Sequence, residues 1–572
     1  MTYILEMAKT MKITDKKTKS TKAEQEKFRK FLSRRHPEYA ESITHWEFLE
    51  DCYEGGREWF RKNVFRYIKE GDKEYVQRVN RAYRFNHTRE VVDLVDKYLF
   101  KMEVARNEVD APDYLKKFWK GATLNKINIT DFMKQISKAT SIYGRVWVVV
   151  DNNNSTDGAP ISKADEKNKD IRAYTYFVTP ENAVDMSYDD AGNLNWILIH
   201  EEVRDDEDPI NSSGSTVHRF RLWEKDSWTL FTLKPNGKAN PTGMTASQLS
   251  QAIVAATLDT VPNVAGAVKL QEGADNYDIE KEGPFMHGFG QVPVFNADNV
   301  LNNDLYTSPS MIDDVAYLDR AVSNYLSNLD AIIQDQTFSQ LIMPAQGLTP
   351  GEEGYDKIIQ MGTSRIFTYD GEGGNKPEYI SPDVRQAEII LKVINKIINE
   401  IYHTVGLAGE RTKEDNALGI DNSSGVAKAY DFERVNSLLA SKADSLEQIE
   451  NKINSFVRRW NGEVEDVEPF VLYPQNFDVR GLYDEFEIAT SLNTIGAPTG
   501  VRRLQMEAVI DKLFPRLAKD LKEKISKEIK EWEPPVAMGA VGQANDPAKP
   551  NVQGQANTDG KVADKAVVDA TK

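Results

Sequence analysis

The stretch "GLAGERTKEDNALGIDNSSGVAKAYDF", residues 406–432, is the part of the chain whose residue types come nearest to a ligand cradle. Gly406, Gly409, Gly419 and Gly425 punctuate a polar loop that runs into a helical pattern. Such a loop can hold phosphate when backbone N–H groups and a helix N-terminus converge on the anion. A phosphate loop of that kind requires Gly-x-x-x-x-Gly-Lys-Ser/Thr directly after a buried strand. None of these glycines is followed by Lys-Ser or Lys-Thr, and the pattern before the loop is helical. "GEGGNK" (371–376) ends in Lys but lies between a strand-like piece and Pro377, which reads as a turn.

Other chemistries fare no better. Histidines stand at 36, 45, 87, 200, 218, 287 and 403, and no two have the i, i+4 spacing that places zinc ligands on one helix face. His403 falls near a helix C-terminus, where the dipole favours it. No Gly-x-Ser-x-Gly elbow occurs. The carboxylate pairs Asp189/Asp190 and Asp313/Asp314 fit a turn and a helix first turn, with divalent-ion binding as the alternative. Cys52, the single cysteine, reads as a small half-buried hydrophobe and excludes an intramolecular disulfide framework. The expectation is a structural or binding protein with no catalytic residue, no metal and no cofactor.

Composition narrows the class. A chain of 572 residues is too long for one core, so two to four domains are expected. With 40% apolar and 28% charged residues it reads as well solvated and multi-lobed. A net charge of −17 argues against nucleic-acid affinity over the whole surface, leaving room for contact confined to a ring or loop. The N-terminal apolar stretch is too short for a signal core, and its lysines follow it. No eighteen apolar residues run uninterrupted, so no membrane span is expected. The working class is a soluble protein made in a reducing cytoplasm.

The elements follow from periodicity. Residues 1–22 read as a basic, flexible arm, and 23–106 as aromatic-rich helices. Within these, Val91, Val92, Val95, Tyr98, Leu99 and Met102 form one apolar face, capped by Asn86 or Thr88. "GRVWVVVD" (144–151) reads as a strand buried on both faces. Asp190-Ala191-Gly192-Asn193 marks a hairpin turn, and Lys225-Asp226 another. Residues 233–281 read as an inserted excursion, with order returning at 288–295. A helix is expected from Ser308 as N-cap and Pro309 at the first position, with Met311, Val315, Leu318, Val322, Tyr325, Leu329 and Ile332 as its seam. A second opens at Ser381-Pro382 with Ile390, Ile394, Ile397 and Ile401. Between them, 341–380 hold strand-like pieces. A third helix runs from Gly425, capped by Ser423 or Ser424, to Trp460; its seam is Val435, Leu439, Leu446, Ile449, Ile453, Phe456 and Trp460, broken by Lys442. "EPFVLYPQNF" (468–477) is strand-like, helices follow to about Trp532, and a low-complexity tail closes the chain. The fold class is α+β. Long amphipathic helices of this kind can repeat one heterologous contact until a ring closes.

The stretches "YRFNHTREVVDLVDKYLF", "YGRVWVVVD", "VTPENAVDMSYDDAGNLNWILIHEE" and "GFGQVPVFNADN", with the order helix, excursion, helix, loop, long helix, are similar to the portal proteins of tailed double-stranded DNA bacteriophages. The likeness spans about residues 40–530 and rests on order rather than on one sharp motif. It implies a dodecameric ring at one capsid vertex, with wing (23–307 and 461–479), stem helices (308–339 and 381–403), a small α/β clip (340–380), a tunnel loop (404–424), a long helix (425–460), a helical crown (480–532) and a tail (533–572). Val315, Leu318, Val322, Leu329, Ile390, Ile394 and Ile397 would pack the stem. Arg411, Lys413, Asn416 and Lys428 would face DNA, and Tyr355, Lys357 and Arg365 of the clip would dock partners. The implied partners are double-stranded DNA, the terminase large subunit, capsid and scaffolding proteins, and head-completion adaptors. The implied place is the virion, after synthesis in the bacterial host cytoplasm. The alternatives are a scaffold- or capsid-associated protein without a channel, and a nuclease or packaging ATPase with a divergent site.

Overall fold

The computed structural model describes residues 21–153 except 69, 171–235 except 211 and 213, 277–337, 340–344, 366–369, 378–380, 385–407, 425–463, 469–477 except 476, 488–513 except 493 and 496, and 519–531. The chain divides into two compact units, Met1–Asp478 and Val479–Lys572.

The first unit opens with α1 (Lys22–Leu32), whose cap Thr21 accepts from the Glu24 amide while the Glu24 carboxylate returns to the Thr21 amide. The helix and its cap therefore take in two residues assigned to the arm. After it come α2 (Pro37–Glu54), α3 (Arg57–Asn63), α4 (Asp72–Arg81) and α5 (His87–Leu99). Asn86, with a left-handed φ of 51°, caps α5 by accepting from the Arg89 amide. Val91, Val92, Val95 and Leu99 are its buried face; the helix stops at Leu99, so Met102 lies beyond it and is exposed. Cys52 is fully rather than half buried, accepting from the Trp59 indole, and burial pushes its thiol up to about 11.

β1 (Ala105–Arg106), α6 (Asp113–Lys120) and α7 (Ile129–Tyr143) lead to β2 (Arg145–Asn152), the middle strand of an antiparallel sheet with β3 (Ala173–Val178) and β9 (Val294–Asp298). Side chains of β2 alternate between two cores. Val146, Val148 and Val150 enter the helical core, and Trp147 and Val149 enter a second core. The second sheet is a meander of β4 (Ala183–Tyr188), β5 (Leu194–Arg204), β6 (Thr216–Glu224), β7 (Ser227–Pro235) and β8 (Tyr277–Met286). Ile197, Ile199, Trp223 and Leu230 pack in the second core; Leu198, Phe220, Phe231 and Ile279 pack in a third with Leu32, Tyr39 and Ile43 of α1 and α2. The β4–β5 turn uses Asp189, which accepts from the Ala191 and Asn193 amides. Strand β8 corrects the expected excursion, whose last residues, together with 282–286, pair with β7. It is an edge strand with alternating Asp278, Glu280 and Glu282, so it lacks the apolar run that marks a buried strand.

Helix α8 spans Asp313–Thr337, which moves its start five residues past the expected Ser308 cap. The cause is a non-local contact. Gly144, at φ +79°, lies so close to the Ser308 carbonyl that a Cβ would come within 1.9 Å of its oxygen. The hydroxyl of Ser310 and the amide of Met311 both donate to the Ser141 carbonyl at the end of α7. Residues 308–311 are thus held against α7 and start no helix, and Asp313 accepts from the Ser310 amide instead.

Strands β10 (Gln340–Pro344), β11 (Ile366–Tyr369) and β12 (Glu378–Ile380) follow, with β10 parallel to β11 and antiparallel to β12. Gln340 lies opposite Ile380, so the end of α8 meets the start of α9 (Arg385–Thr404) and the two helices run antiparallel. The expected Ser381 cap lies outside the described residues. Helix α10 (Gly425–Trp460) has 36 residues, about 54 Å at 1.5 Å each. β13 (Val471–Leu472) pairs with β1. In the second unit α11 (Thr499–Leu513) and α12 (Lys519–Glu531) pack together, with the Ser526 hydroxyl donating to Glu507.

Candidate functional site

The antiparallel pair α8–α9 is built on two kinds of contact. Val315, Val322 and Leu329 are buried in the main core with Ile394, and Leu318, Ile390 and Ile397 pack partly buried against it. Leu326 and Ile398 are buried as well, so the apolar faces are broader than the seams read from spacing. The other contact is polar and was not legible in that spacing. Asp319 of α8 is buried against Arg84 at 3.5 Å and accepts from the Thr88 hydroxyl at 2.8 Å. Arg84 also sits 4.1 Å over the Trp59 ring. About two turns further along α8, Arg78 pairs with Glu70 at 2.7 Å and donates to the Ser327 hydroxyl and the Phe65 carbonyl. Two buried arginines therefore fix α8 to the N-terminal helices; removing either partner leaves a buried charge alone.

Helix α10 repeats this mixture. Lys442, the expected break in its seam, sits in the core and donates to Asn299 at 2.6 Å and Thr140 at 3.2 Å. Burial pulls its ammonium down to about 7, with Asp96 opposing. Glu450 is fully buried and accepts from Arg106 and from the Tyr473 hydroxyl, joining α10 to β1 and to the residue after β13.

A pH dependence follows from Lys442. An unfolded lysine titrates near 10.4, so between about pH 7 and 10 the unfolded chain holds a proton that the folded chain has released. Stability therefore rises with pH through that window, and the penalty is fully present below it. In urea denaturation at pH 7, 8 and 9, the wild-type stability minus that of Lys442→Met is expected to climb by up to about 1.4 kcal/mol per pH unit. Parallel curves would mean that Lys442 titrates as an exposed lysine.

One cluster brings metal-ligand types together: His200 and Glu202 of β5 with His218 of β6. The pairing of Glu202 with His218 places all three on one sheet face, across strands where sequence spacing shows nothing. His200 Nε2 and His218 Nδ1 are 3.0 Å apart while the ring centroids are 5.3 Å apart at 19°. Those values put the two nitrogens head-on, which suits a shared proton; a tetrahedral ion needs lone pairs that converge from different directions. Burial and the neighbouring His218 hold His200 down to about 3, so His200 is neutral.

Asp313 pairs with His45 at 2.8 Å, and Asp189 is bonded within its turn. His403 ends α9 exposed, with Arg434 donating to its carbonyl. Lys428 lies in α10, of which the backbone alone is described there. Arg411, Lys413, Asn416, Tyr355, Lys357 and Arg365 lie outside the described residues. Among the described residues no helix is long and apolar enough to cross a membrane.

Residues 33–467 match the model of the phage portal protein family, SPP1 Gp6-like, and the chain belongs to that family. Its class is thereby a structural component of phage particles. Among solved structures the chain is similar to one from the neck of an empty GTA particle computed with C6 symmetry, at 10% identity, over 77% of this chain and 89% of that one, with a TM-score of 0.33. No curated protein matches.

Proposed function

We propose that the chain assembles into a closed ring at one capsid vertex. There it forms the channel for double-stranded DNA during packaging and ejection, and the platform for the terminase large subunit and then for head-completion proteins. The observation that carries this reading is the order of elements within a portal-family chain: α8, a small strand excursion, antiparallel α9, the 408–424 segment, and the long α10. In this reading α8 and α9 are the stem, 340–380 the clip, 404–424 the tunnel loop, with its Arg411, Lys413 and Asn416 and the neighbouring Lys428 of α10 toward DNA, and 480–532 the crown. Tyr355, Lys357 and Arg365 are the docking residues of the clip. An acidic chain with few basic groups at its constriction suits sliding, because contacts with phosphate stay weak and salt-screened. The motor supplies the hydrolysis; this chain supplies none.

Images of the purified full chain test the ring directly. Closed rings with a central hole support the proposal, and sheets or filaments favour a scaffold-type protein. Deleting 409–420 is expected to leave rings intact and to lower packaged DNA at least tenfold, read as DNase-protected genome per particle. Normal packaging by that deletion would overturn the tunnel-loop assignment.

A further inference from the structure

A ring made by a head-to-tail contact needs two different, complementary surfaces on each copy. Resting on the ring reading, we infer that one of them is the surface of residues 57–89 and that it receives the β5–β6 hairpin tip of the next copy.

Residues 57–89 hold ten Lys or Arg against four Asp or Glu, in a chain of net charge −17. Their folded surface has an apolar centre: Phe65, Tyr67, Ile68 and Val76 are all exposed, Ile68 completely. Phe65 and Tyr67 are held in place, since the Phe65 amide and the Tyr67 hydroxyl donate to Asn324 and Asn328 of α8. Arg78 lies beneath the Tyr67 ring at 4.0 Å. Around this centre stand Arg61, Lys62, Arg66 and Lys73, all exposed. An apolar centre inside a charged rim is the anatomy of a protein interface.

Nucleic acid is the weaker fit. A bare apolar centre gives a phosphate backbone nothing to bind.

The β5–β6 tip has the opposite character. Past the end of β5, residues 205–208 are four successive Asp or Glu, and Ile210 beside them is 88% exposed. Tip and patch belong to different cores of the unit. The sheet packs on Tyr39 and Ile43 of α2, whereas Leu49 and Cys52, further along α2, pack in the core with Trp59 and Phe60 under the patch. Within the chain the ion pairs of patch arginines and lysines run to Asp51, Glu58, Glu70, Asp72, Asp319 and Asp330, none of them on the tip.

The test is a charge exchange in the full chain, read by sedimentation and by imaging. Arg61→Glu with Lys73→Glu reverses the patch; Asp206→Lys with Glu207→Lys reverses the tip. All four residues are exposed, so melting curves should match the wild type. Each pair alone is expected to lower the ring fraction at least tenfold, and one chain carrying all four is expected to recover it. Ile68→Ser, at a side chain with no packing to lose, is expected to weaken rings without changing the melt. Rings unaffected by either pair would overturn the inference and leave the ring reading standing. So would loss without recovery in the fourfold variant, or intact rings that lose DNA binding. Absence of rings in the wild type would overturn the ring reading itself.

Discussion

Gly144→Ala is expected to destabilise the first unit by at least about 3 kcal/mol, the range of substitutions that force both a clash and a strained backbone. Two independent penalties meet at this residue. Its φ of +79° lies where side-chain-bearing residues are strained, at roughly 1–2 kcal/mol. The added Cβ would also lie 1.9 Å from the Ser308 oxygen and within 3 Å of Ser308 and Pro309 carbonyl carbons, all backbone that no rotamer change can relieve. Moving residues 308–310 away would break the bonds from Ser310 and Met311 to Ser141. It would also strain the position of Asn299, whose amide donates to the Gly144 carbonyl at 2.7 Å. Gly192 is the control. It has the same φ of +79°, but its added Cβ would meet a leucine side chain at 3.4 Å, so Gly192→Ala should carry the backbone penalty alone. Urea denaturation midpoints compare the two variants. Equal shifts would mean that the 308–310 crossing yields easily.

This crossing also explains which parts of the fold were legible in the sequence. Long periodic elements were: the bounds of α10 follow from its apolar spacing and its glycine start, and β2 from an unbroken β-branched run. Elements defined by a distant neighbour were not. Ser308-Pro309 has the composition of a helix start, yet its backbone is taken by α7 some 160 residues earlier in the chain. Strand β8 is mostly polar because it sits on a sheet edge, and its identity comes from pairing with β7. The buried polar residues were missed for a related reason. A search for apolar spacing reads Asp319, Lys442 and Glu450 as solvent-facing or as breaks, whereas each is buried and bonded to a partner far away in the chain. The His200–His218 pair is likewise visible only across two strands. Family membership was legible in the order of elements, because that order survives where individual residues drift.

Leu329→Asp carries the other large expected effect. Leu329 lies in the second half of α8, 6% exposed, in the core that also holds Leu326, Ile394 and Ile398. Loss of its burial removes roughly 2 kcal/mol. An unpaired carboxylate at that depth adds several more, whether it stays charged or takes up a proton. The sum, on the order of 5 kcal/mol, is comparable with the whole stability of many domains. The variant is therefore expected to lose its cooperative melt and to form no rings. Two companions separate the causes. Leu329→Met keeps volume and polarity and should cost less than about 1.5 kcal/mol. Asn328→Asp introduces the same charge one residue earlier, where the side chain is half-buried and accepts from the Tyr67 hydroxyl, as a carboxylate also can. If Asn328→Asp melts near the wild type while Leu329→Asp does not unfold cooperatively, the damage is due to burial in the α8–α9 core and not to charge on the helix. A folded Leu329→Asp that still fails to form rings would place Leu329 between copies instead of inside one. A folded variant with normal rings would contradict the packing of this helix pair altogether.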